Sequence, residues 1–417
     1  MSDSVVVFLN LRRTHLEHSA AIEAAYRLGY GVALIADMVP SGLPQGIVRV
    51  VHKVDTYQSA AVDEAVAAVA ASYSIAGVVT WSDRDVETVS RIAQRLGLAA
   101  PSTEAARIAR NKYLMREALA GHPHTIPRFA RVTTWEELLK GVEEVGLPAV
   151  LKPTSASGSK GIFVLREVEQ VRPAFDKLMD YTRPEVDRVF LDNVNELILE
   201  EFLAGTEHSV EGFVSQGDIV IAGITDKQTT DPFRLELAHT FPSSLPDEMR
   251  ARVHQLTDTV ITTIGLDNCT FHLECMVGPD GTVKLVEVAA RVGGDFITSH
   301  LVGFATGQPF AENVIRVATG QRPELGGKQS LYAGVRKIMA DRSGVFSGFD
   351  GLTEALSVPG VRHVVLERAV GAPVKLPPTD YMSSTLGAVL AVGDSAGTVK
   401  ECLVKAVNAV SVSISEA

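Results

Sequence analysis

Two glutamates late in the chain carry the sharpest chemical signal. They lie in Phe271-His272-Leu273-Glu274-Cys275-Met276-Val277 and Lys284-Leu285-Val286-Glu287-Val288-Ala289-Ala290-Arg291, runs that flank Gly278-Pro279-Asp280-Gly281 and read as a β-hairpin. The two-residue period of a strand puts Glu287, Ala289 and Arg291 on one face. Pairing Gly278 with Gly281 sets Glu274 opposite Leu285, on the same face as Glu287 and diagonal to it. At a diagonal backbone spacing of about 7–8 Å both carboxylates reach a common hard cation, and such oxygen ligands suit Mg²⁺ carrying nucleotide phosphates. A solvated polar sheet face would show the same alternation. Arg291, beside Gly293-Gly294, offers a planar fork to phosphate or carboxylate.

Two earlier segments suit a phosphate- or hydroxyl-bearing ligand. Lys152-Pro153-Thr154-Ser155-Ala156-Ser157-Gly158-Ser159-Lys160-Gly161 is small, polar and glycine-rich between two apolar strands, so it can turn backbone N–H groups toward phosphate oxygens while two lysines supply charge. It is not a Walker A loop, because GxxxxGK[ST] is missing and a strand follows. A solvated hairpin loop has the same composition. In Ile198-Leu199-Glu200-Glu201-Phe202-Leu203-Ala204-Gly205-Thr206-Glu207, two carboxylates end an apolar run. Glu207 follows across Gly205, where a bend can return it to the same pocket to accept hydrogen bonds from ribose hydroxyls. The adjacent pair alone also reads as a solvated strand edge.

The elements that must position these groups change character along the chain. The first hundred residues alternate β-branched runs (Val5 to Leu9, Val32 to Ala36, Ala76 to Thr80) with helical patterns (Glu17 to Leu28, Ala60 to Ala71, Asp83 to Leu96), which is the βαβ logic of a parallel sheet. The loop Asn10-Leu11-Arg12-Arg13-Thr14 lacks the glycine fingerprint of a dinucleotide site, which removes the main support for a Rossmann oxidoreductase. Ser102-Thr103-Glu104 caps a helix expected to run through Lys112 to Leu119, followed by a connection. From Leu147 extended runs joined by glycine turns predict an antiparallel α+β block. A helix over Pro246 to Ile264 precedes the hairpin, and after Gln329 a smaller α+β unit follows.

Composition bounds the rest. The 417 residues, 46% hydrophobic and 21% charged, fit roughly three folded domains and exclude disorder. A formal charge of −11 has the wrong sign for bulk electrostatic binding of nucleic acid. Cys269, Cys275 and Cys402 form no zinc spacing or disulfide framework, and neither a basic leader nor a membrane-length apolar run occurs. A cytoplasmic protein without membrane partners is expected.

Taken together, these residues resemble the ATP-grasp superfamily, and within it the ADP-forming carboxylate–amine ligases of the L-amino acid ligase type. The resemblance covers nearly the full length and rests on the order of its pieces: an N-terminal α/β region, a lysine on a linking helix, the lysine-plus-glycine loop, the Glu-Glu-Phe-Leu hinge, Gly-x-Glu, paired glutamates and Glu-x-x-x-Arg. It implies a Rossmann-like parallel-sheet domain over 1–108, a two-part ATP-binding domain over 109–325 (109–195 and 196–325) and a small α+β domain over 326–417. It also implies that Lys112 and Lys152 contact ATP phosphates under a cover made by Ser155, Ser157, Gly158, Ser159 and Gly161. Glu200, Glu201, Phe202 and Leu203 would line the adenine site, Glu207 would hold the ribose, and Glu274 and Glu287 would hold Mg²⁺. Lys227, Lys160 and Arg291 would form the catalytic set. Much of the superfamily has asparagine two residues after the second glutamate; this chain has Ala289, so one ligand is missing.

The stretch from Thr225 through Phe233 to Pro242 resembles the loop of amino acid ligases that recognises the amino acid. On that match Glu236 and His239 hold its amino end, Arg291 its carboxylate or acyl phosphate, and Gly294 and Asp295 fall where specificity varies. Many relatives are dimers, so a homodimer is an implied partner beside small carboxylate and amine substrates. The implied reaction phosphorylates an amino acid carboxylate with ATP and couples it to an amine, releasing ADP and phosphate. The alternatives are another ATP-grasp chemistry, such as a D-alanine-type ligase or a carboxylase subunit, and an ATP-binding regulatory protein without turnover, which Ala289 would suit.

Overall fold

The computed structural model describes residues 3–12 and 14–416; Met1 and Arg13, both included in the sequence reading, lie outside the described residues. The β-branched runs near the N-terminus form β1 (Ser4–Leu9), β2 (Gly31–Ala36), β3 (Val48–Lys53) and β4 (Ser74–Thr80), interleaved with helices α1 (His15–Arg27), α2 (Ser59–Ser72) and α3 (Val86–Leu96). The strands make a four-stranded parallel sheet in the order β3-β2-β1-β4. Val6 and Phe8 enter one apolar core and Val5, Val7 and Leu9 the other, because a sheet covered on both faces needs apolar side chains on both.

The expected single helix from Thr103 is two. Helix α4 (Thr103–Arg110) ends at Asn111, whose extended backbone starts α5 (Lys112–Ala118). The Asn111 side-chain oxygen accepts from the N–H groups of Tyr113 and Leu114 at 2.9 and 3.1 Å. A capping asparagine thus breaks a pattern that periodicity alone reads as continuous. The break puts Lys112 at a helix start, aimed inward.

The expected connection after it contains β5 (Phe129–Val132) and α6 (Trp135–Val145); β6 (Ala149–Pro153), β7 (Phe163–Leu165), α7 (Val171–Tyr181) and β8 (Leu197–Glu201) complete a four-stranded antiparallel sheet, β5-β8-β6-β7. Next come β9 (Thr206–Ser215), β10 (Asp218–Thr229), β11 (Glu236–Phe241), α8 (Asp247–Ile264), β12 (Cys269–Val277) and β13 (Val283–Ala289). The segment resembling a substrate loop is therefore mostly strand, with only 230–235 as the turn, and Glu236 and His239 stand on β11.

After α9 (Val302–Thr306) and α10 (Phe310–Ala318), the last hundred residues add β14 (Tyr332–Met339), β15 (Gly344–Asp350), α11 (Leu352–Leu356), β16 (Val361–Leu366), β17 (Pro373–Val374), β18 (Thr385–Gly393), α12 (Ala396–Ala409) and β19 (Ser411–Ser415). Strands β14, β18 and β16 continue the large sheet, giving one eight-stranded antiparallel layer, β13-β12-β9-β10-β11-β14-β18-β16. Backbone pairing between β11 and β14 joins the C-terminal region to the centre of the molecule. Its buried faces pack on α8 and α10.

The hairpin register corrects the sequence expectation. Cys275 pairs with Leu285, and Glu274 pairs directly with Glu287, because the ladder shifts by one residue between them and leaves Val286 unpaired. Without this bulge Leu285 and Glu287 would share a face. With it, Leu285 and Val288 enter the core under α8 while Glu287 turns to the other side. The two carboxylates are cross-strand partners rather than diagonal ones.

Candidate active site

A cleft of about 920 Å³, open to solvent, lies between the small sheet and the outer face of the large one. Strand register builds its floor. Alternate residues His272, Glu274 and Met276 of β12 face the cleft while Phe271, Leu273, Cys275 and Val277 enter the core. Across the next ladder Glu211, Ser209 and Glu207 stand opposite them, and Lys227 of β10 stands opposite Glu207.

Lys227 is the electrostatic centre. Its Nζ lies 2.8 Å from Glu207, 2.8 Å from Glu274 and 3.2 Å from Glu236. Burial alone would discharge the amine, but the three carboxylates hold its pKa well above the ordinary lysine value. Burial would likewise protonate Glu274, yet Lys227 and His272 hold it well below the usual carboxylate range. Glu287 carries its own cation, Lys112, at 2.7 Å, and the same ammonium donates to the Ala156 carbonyl at 2.7 Å.

Four residues that the sequence analysis gave no role support this floor. Arg116, fully buried on α5, donates to Glu200 at 2.8 Å and to the carbonyl of the bulged Val286 at 2.6 Å. Glu200 in turn pairs with Lys152 at 2.6 Å. The chain of contacts locks the bulge that aims Glu287. On the other side His272 donates between Glu211 at 2.8 Å and Glu274 at 3.2 Å, with Ser209 donating to Glu211 at 2.9 Å. The two carboxylates overcome burial and raise the His272 pKa to about 10. His272 faces Ala289, the position where an asparagine was expected.

The glycine-rich segment covers the cleft. Ser157, Gly158, Ser159 and Lys160 line it, Lys160 paired with Asp187 at 2.5 Å and Ser159 donating to the Arg234 carbonyl at 2.7 Å. Ser155 turns away and donates to Asn193 at 2.7 Å, and Gly161 packs on Pro153 and Leu178. Glu200, Glu201, Phe202 and Leu203 form the far wall; the backbone N–H groups of Glu201 and Phe202 are spent on the Arg128 and Pro148 carbonyls. Glu207 is held by both Lys227 and Arg234, each at 2.8 Å.

Residues 145–299 match the ATP-grasp domain family, 22–100 the ATP-grasp N-terminal domain and 336–415 the L-amino acid ligase C-terminal domain 2. The chain is 30% identical over 345 residues to the uncharacterized protein y4rH of Sinorhizobium fredii, across 82% of this chain and 69% of that one. The chain belongs to the ATP-grasp superfamily. Alanine–anticapsin ligase of Bacillus subtilis is 27% identical over 295 residues, across 66% of this chain and 61% of that protein's length. The L-amino acid ligase of Bacillus licheniformis shares the fold, with a TM-score of 0.88 at 22% identity over 99% of both chains.

Within this ATP-grasp chain the remaining expected residues gather beyond Lys227. His239 lies 3.1 Å from Asp295, which also pairs with Lys337 at 2.8 Å. Lys337, on β14, is a further residue outside the sequence reading. Arg291 donates to the Val292 carbonyl at 2.8 Å and stands 3.4 Å from Asp83, which also pairs with Arg110. Gly294 borders Arg12.

Proposed function

We propose that this ATP-grasp ligase phosphorylates the carboxylate of one amino acid and passes the acyl group to the amine of another, forming a peptide bond. One observation carries the reading: Glu274 and Glu287 face each other on the cleft floor, each matched by a lysine at 2.7–2.8 Å. Two carboxylates that draw cations this closely are the hard-oxygen donor set that Mg²⁺ requires, so the residues fit the metal. Bound there, Mg²⁺ would neutralise charge on the phosphates of ATP.

The chain's own residues supply the rest. Val150, Ile162, Phe202, Leu203 and Met276 give the cleft an apolar slot suited to adenine. Lys112 and Lys152 hold charge toward the phosphates, and the segment 156–160 covers them. An oxygen of the donor carboxylate attacks the γ-phosphorus and ADP leaves. The acceptor nitrogen then attacks the acyl carbon, the carbon–oxygen bond to phosphate breaks, and the nitrogen loses a proton. Lys227 and Arg291 would neutralise charge that develops on the transferred group. The cover's second task is to keep water from the acyl phosphate.

The relatives support the class: alanine–anticapsin ligase bears the chemistry in its name, and residues 336–415 match an L-amino acid ligase domain. Three free, buried cysteines fit a reducing cytoplasm. The test is a mass-spectrometric product screen with pooled amino acids, ATP and Mg²⁺, alongside ADP release. Amine-dependent ADP release with a condensation product is expected; bound ATP without carboxylate-dependent turnover would refute the assignment.

A further inference from the structure

The parallel-sheet region meets the rest of the chain in two unlike ways. Against the large sheet the contact is a core: Val6 and Phe8 pack in one buried apolar cluster with Phe213, Val292 and Val314. Such an interface opens only by exposing apolar area. Against the small-sheet region the contact is polar and half-exposed. Arg188 donates to both carboxylate oxygens of Asp55, at 3.0 and 2.8 Å, with 48% and 39% of the two side chains exposed. The same guanidinium lies over the Tyr57 ring, 4.3 Å from its centre, and Arg84 lies over that ring at 4.6 Å.

The parallel-sheet side of this contact is preset. Asn10 donates to Thr56 at 3.0 Å and to Asp85 at 2.7 Å, and Arg84 donates to Thr56 at 3.2 Å and pairs with Asp37. The Tyr57 N–H donates to Asp55 at 3.2 Å. Asp55 and Tyr57 are therefore held by their own region, independently of Arg188.

The other side is built as a lever. Arg188–Phe190 form a single 3-10 turn between α7 and β8, and neighbouring residues of that turn serve three parts of the molecule. Arg188 reaches the parallel-sheet region. Asp187 caps the turn by accepting from the Val189 N–H at 3.0 Å and pairs with Lys160 of the glycine-rich segment at 2.5 Å. Phe190 is buried, its ring 5.6 Å from that of Tyr181 on α7. Farther along, Asn193 accepts from Ser155 at 2.7 Å, so both ends of the glycine-rich segment are tied to this one stretch of chain. A shift of the turn moves them together.

We propose that Arg188 is a catch: by gripping Asp55 and Tyr57 it lets the parallel-sheet region hold the cover shut over the cleft, and its release opens the cover. Arg188 is thus a positioning residue that acts on Lys160 through Asp187. The inference rests on the reading of 156–160 as the cover of an ATP cleft. A half-exposed ion pair and a cation–π contact suit a catch, because each is weak and salt weakens the first. Polar contacts of this kind are where regions of one chain move against each other.

The test is amide hydrogen exchange of the full chain, read by mass spectrometry on peptides covering 157–161 of the cover and 271–277 of the floor, with and without Mg²⁺ and the non-hydrolysable ATP analogue AMPPNP. In the wild type the nucleotide should slow exchange in the cover. In Arg188→Gln the nucleotide-bound cover should exchange roughly three- to thirtyfold faster, the loss of one exposed ion pair and one cation–π contact, while 271–277 stays as in the wild type. Arg188→Lys, which keeps the charge without the fork, should fall between. Raising salt from about 0.05 to about 0.5 M should speed cover exchange in the wild type and leave Arg188→Gln nearly unmoved. Adding Asp55→Asn to Arg188→Gln should change nothing further, because both remove one contact. Cover exchange in Arg188→Gln equal to wild type, or an acceleration shared equally by 271–277, overturns the catch and leaves the cover reading standing. If the nucleotide does not protect 157–161 in the wild type, the cover reading itself fails and the catch with it.

Discussion

The floor and the cover of the cleft are built in opposite ways. On the floor, strand register and one bulge fix every charge: Glu274 faces Glu287, Glu207 faces Lys227, and buried partners stand behind each. The cover is a single segment between β6 and β7 with Gly158, Ser159 and Gly161 all at positive φ. It is tied down by Ser159 on the Arg234 carbonyl, Lys160 on Asp187 and Met382 against Gly158. Stabilising developing charge requires groups that do not reorganise, whereas admitting and sealing a substrate requires groups that do. The floor pays for rigidity with buried ion pairs, and the cover keeps its contacts few.

The contrast breaks first at the carboxylates. Glu287→Gln keeps shape and removes one charge from the cleft floor, so on the proposed reading kcat for ATP turnover should fall about 10³-fold while the melting temperature stays near wild type. Glu274→Gln should fall comparably and also loosen Lys227. Normal turnover in Glu287→Gln would show that the floor is not where phosphoryl transfer happens.

Arg116 sharpens the same comparison through stability. Arg116→Met leaves Glu200 buried with Lys152 alone and frees the Val286 carbonyl, so denaturant unfolding should report a loss of about 3 kcal/mol. Adding Glu200→Gln should restore part of it, which simple cavity formation would not allow. A next, smaller effect belongs to His272. His272→Gln removes the cation that orients Glu274, and Mn²⁺ binding followed by electron paramagnetic resonance should weaken roughly 10- to 100-fold.

The same division decides what could be read from the sequence. The paired glutamates, the hinge and the glycine-rich segment were legible because two-residue alternation and glycine turns are local signals, and the parallel sheet followed from its β-branched runs. The bulge at Val286 was not, since one extra residue in a strand leaves no mark on alternation until the partner strand is known. Arg116 and Glu211 were invisible for a related reason. Each acts through a residue distant in sequence: Arg116 donates to Val286, and Glu211 pairs with His272. The sharing of β11 and β14 in one sheet also depends on a pairing between regions that read as separate units.

The smallest expected effect tests the cover. Tyr381, from the segment between β17 and β18, packs its ring 5.6 Å from Tyr181 of α7 and 6.1 Å from Phe233 in the 230–235 turn, and Phe233 meets Phe163 of β7 at 6.5 Å. These rings tie the C-terminal region to the small sheet just beside Gly158. An aromatic pair contributes about 0.5–1.5 kcal/mol beyond its buried area, so Tyr381→Ala should favour the open cover by about two- to tenfold. The KM for ATP should rise by that factor. ADP release should also become partly independent of the amine, because an acyl phosphate under a loosened cover meets water before it meets the acceptor. Tyr381→Phe, which keeps the ring, should behave as wild type. A Tyr381→Ala enzyme that stays tightly coupled would mean that the floor alone protects the intermediate, and that the cover's weak contacts serve entry rather than sealing.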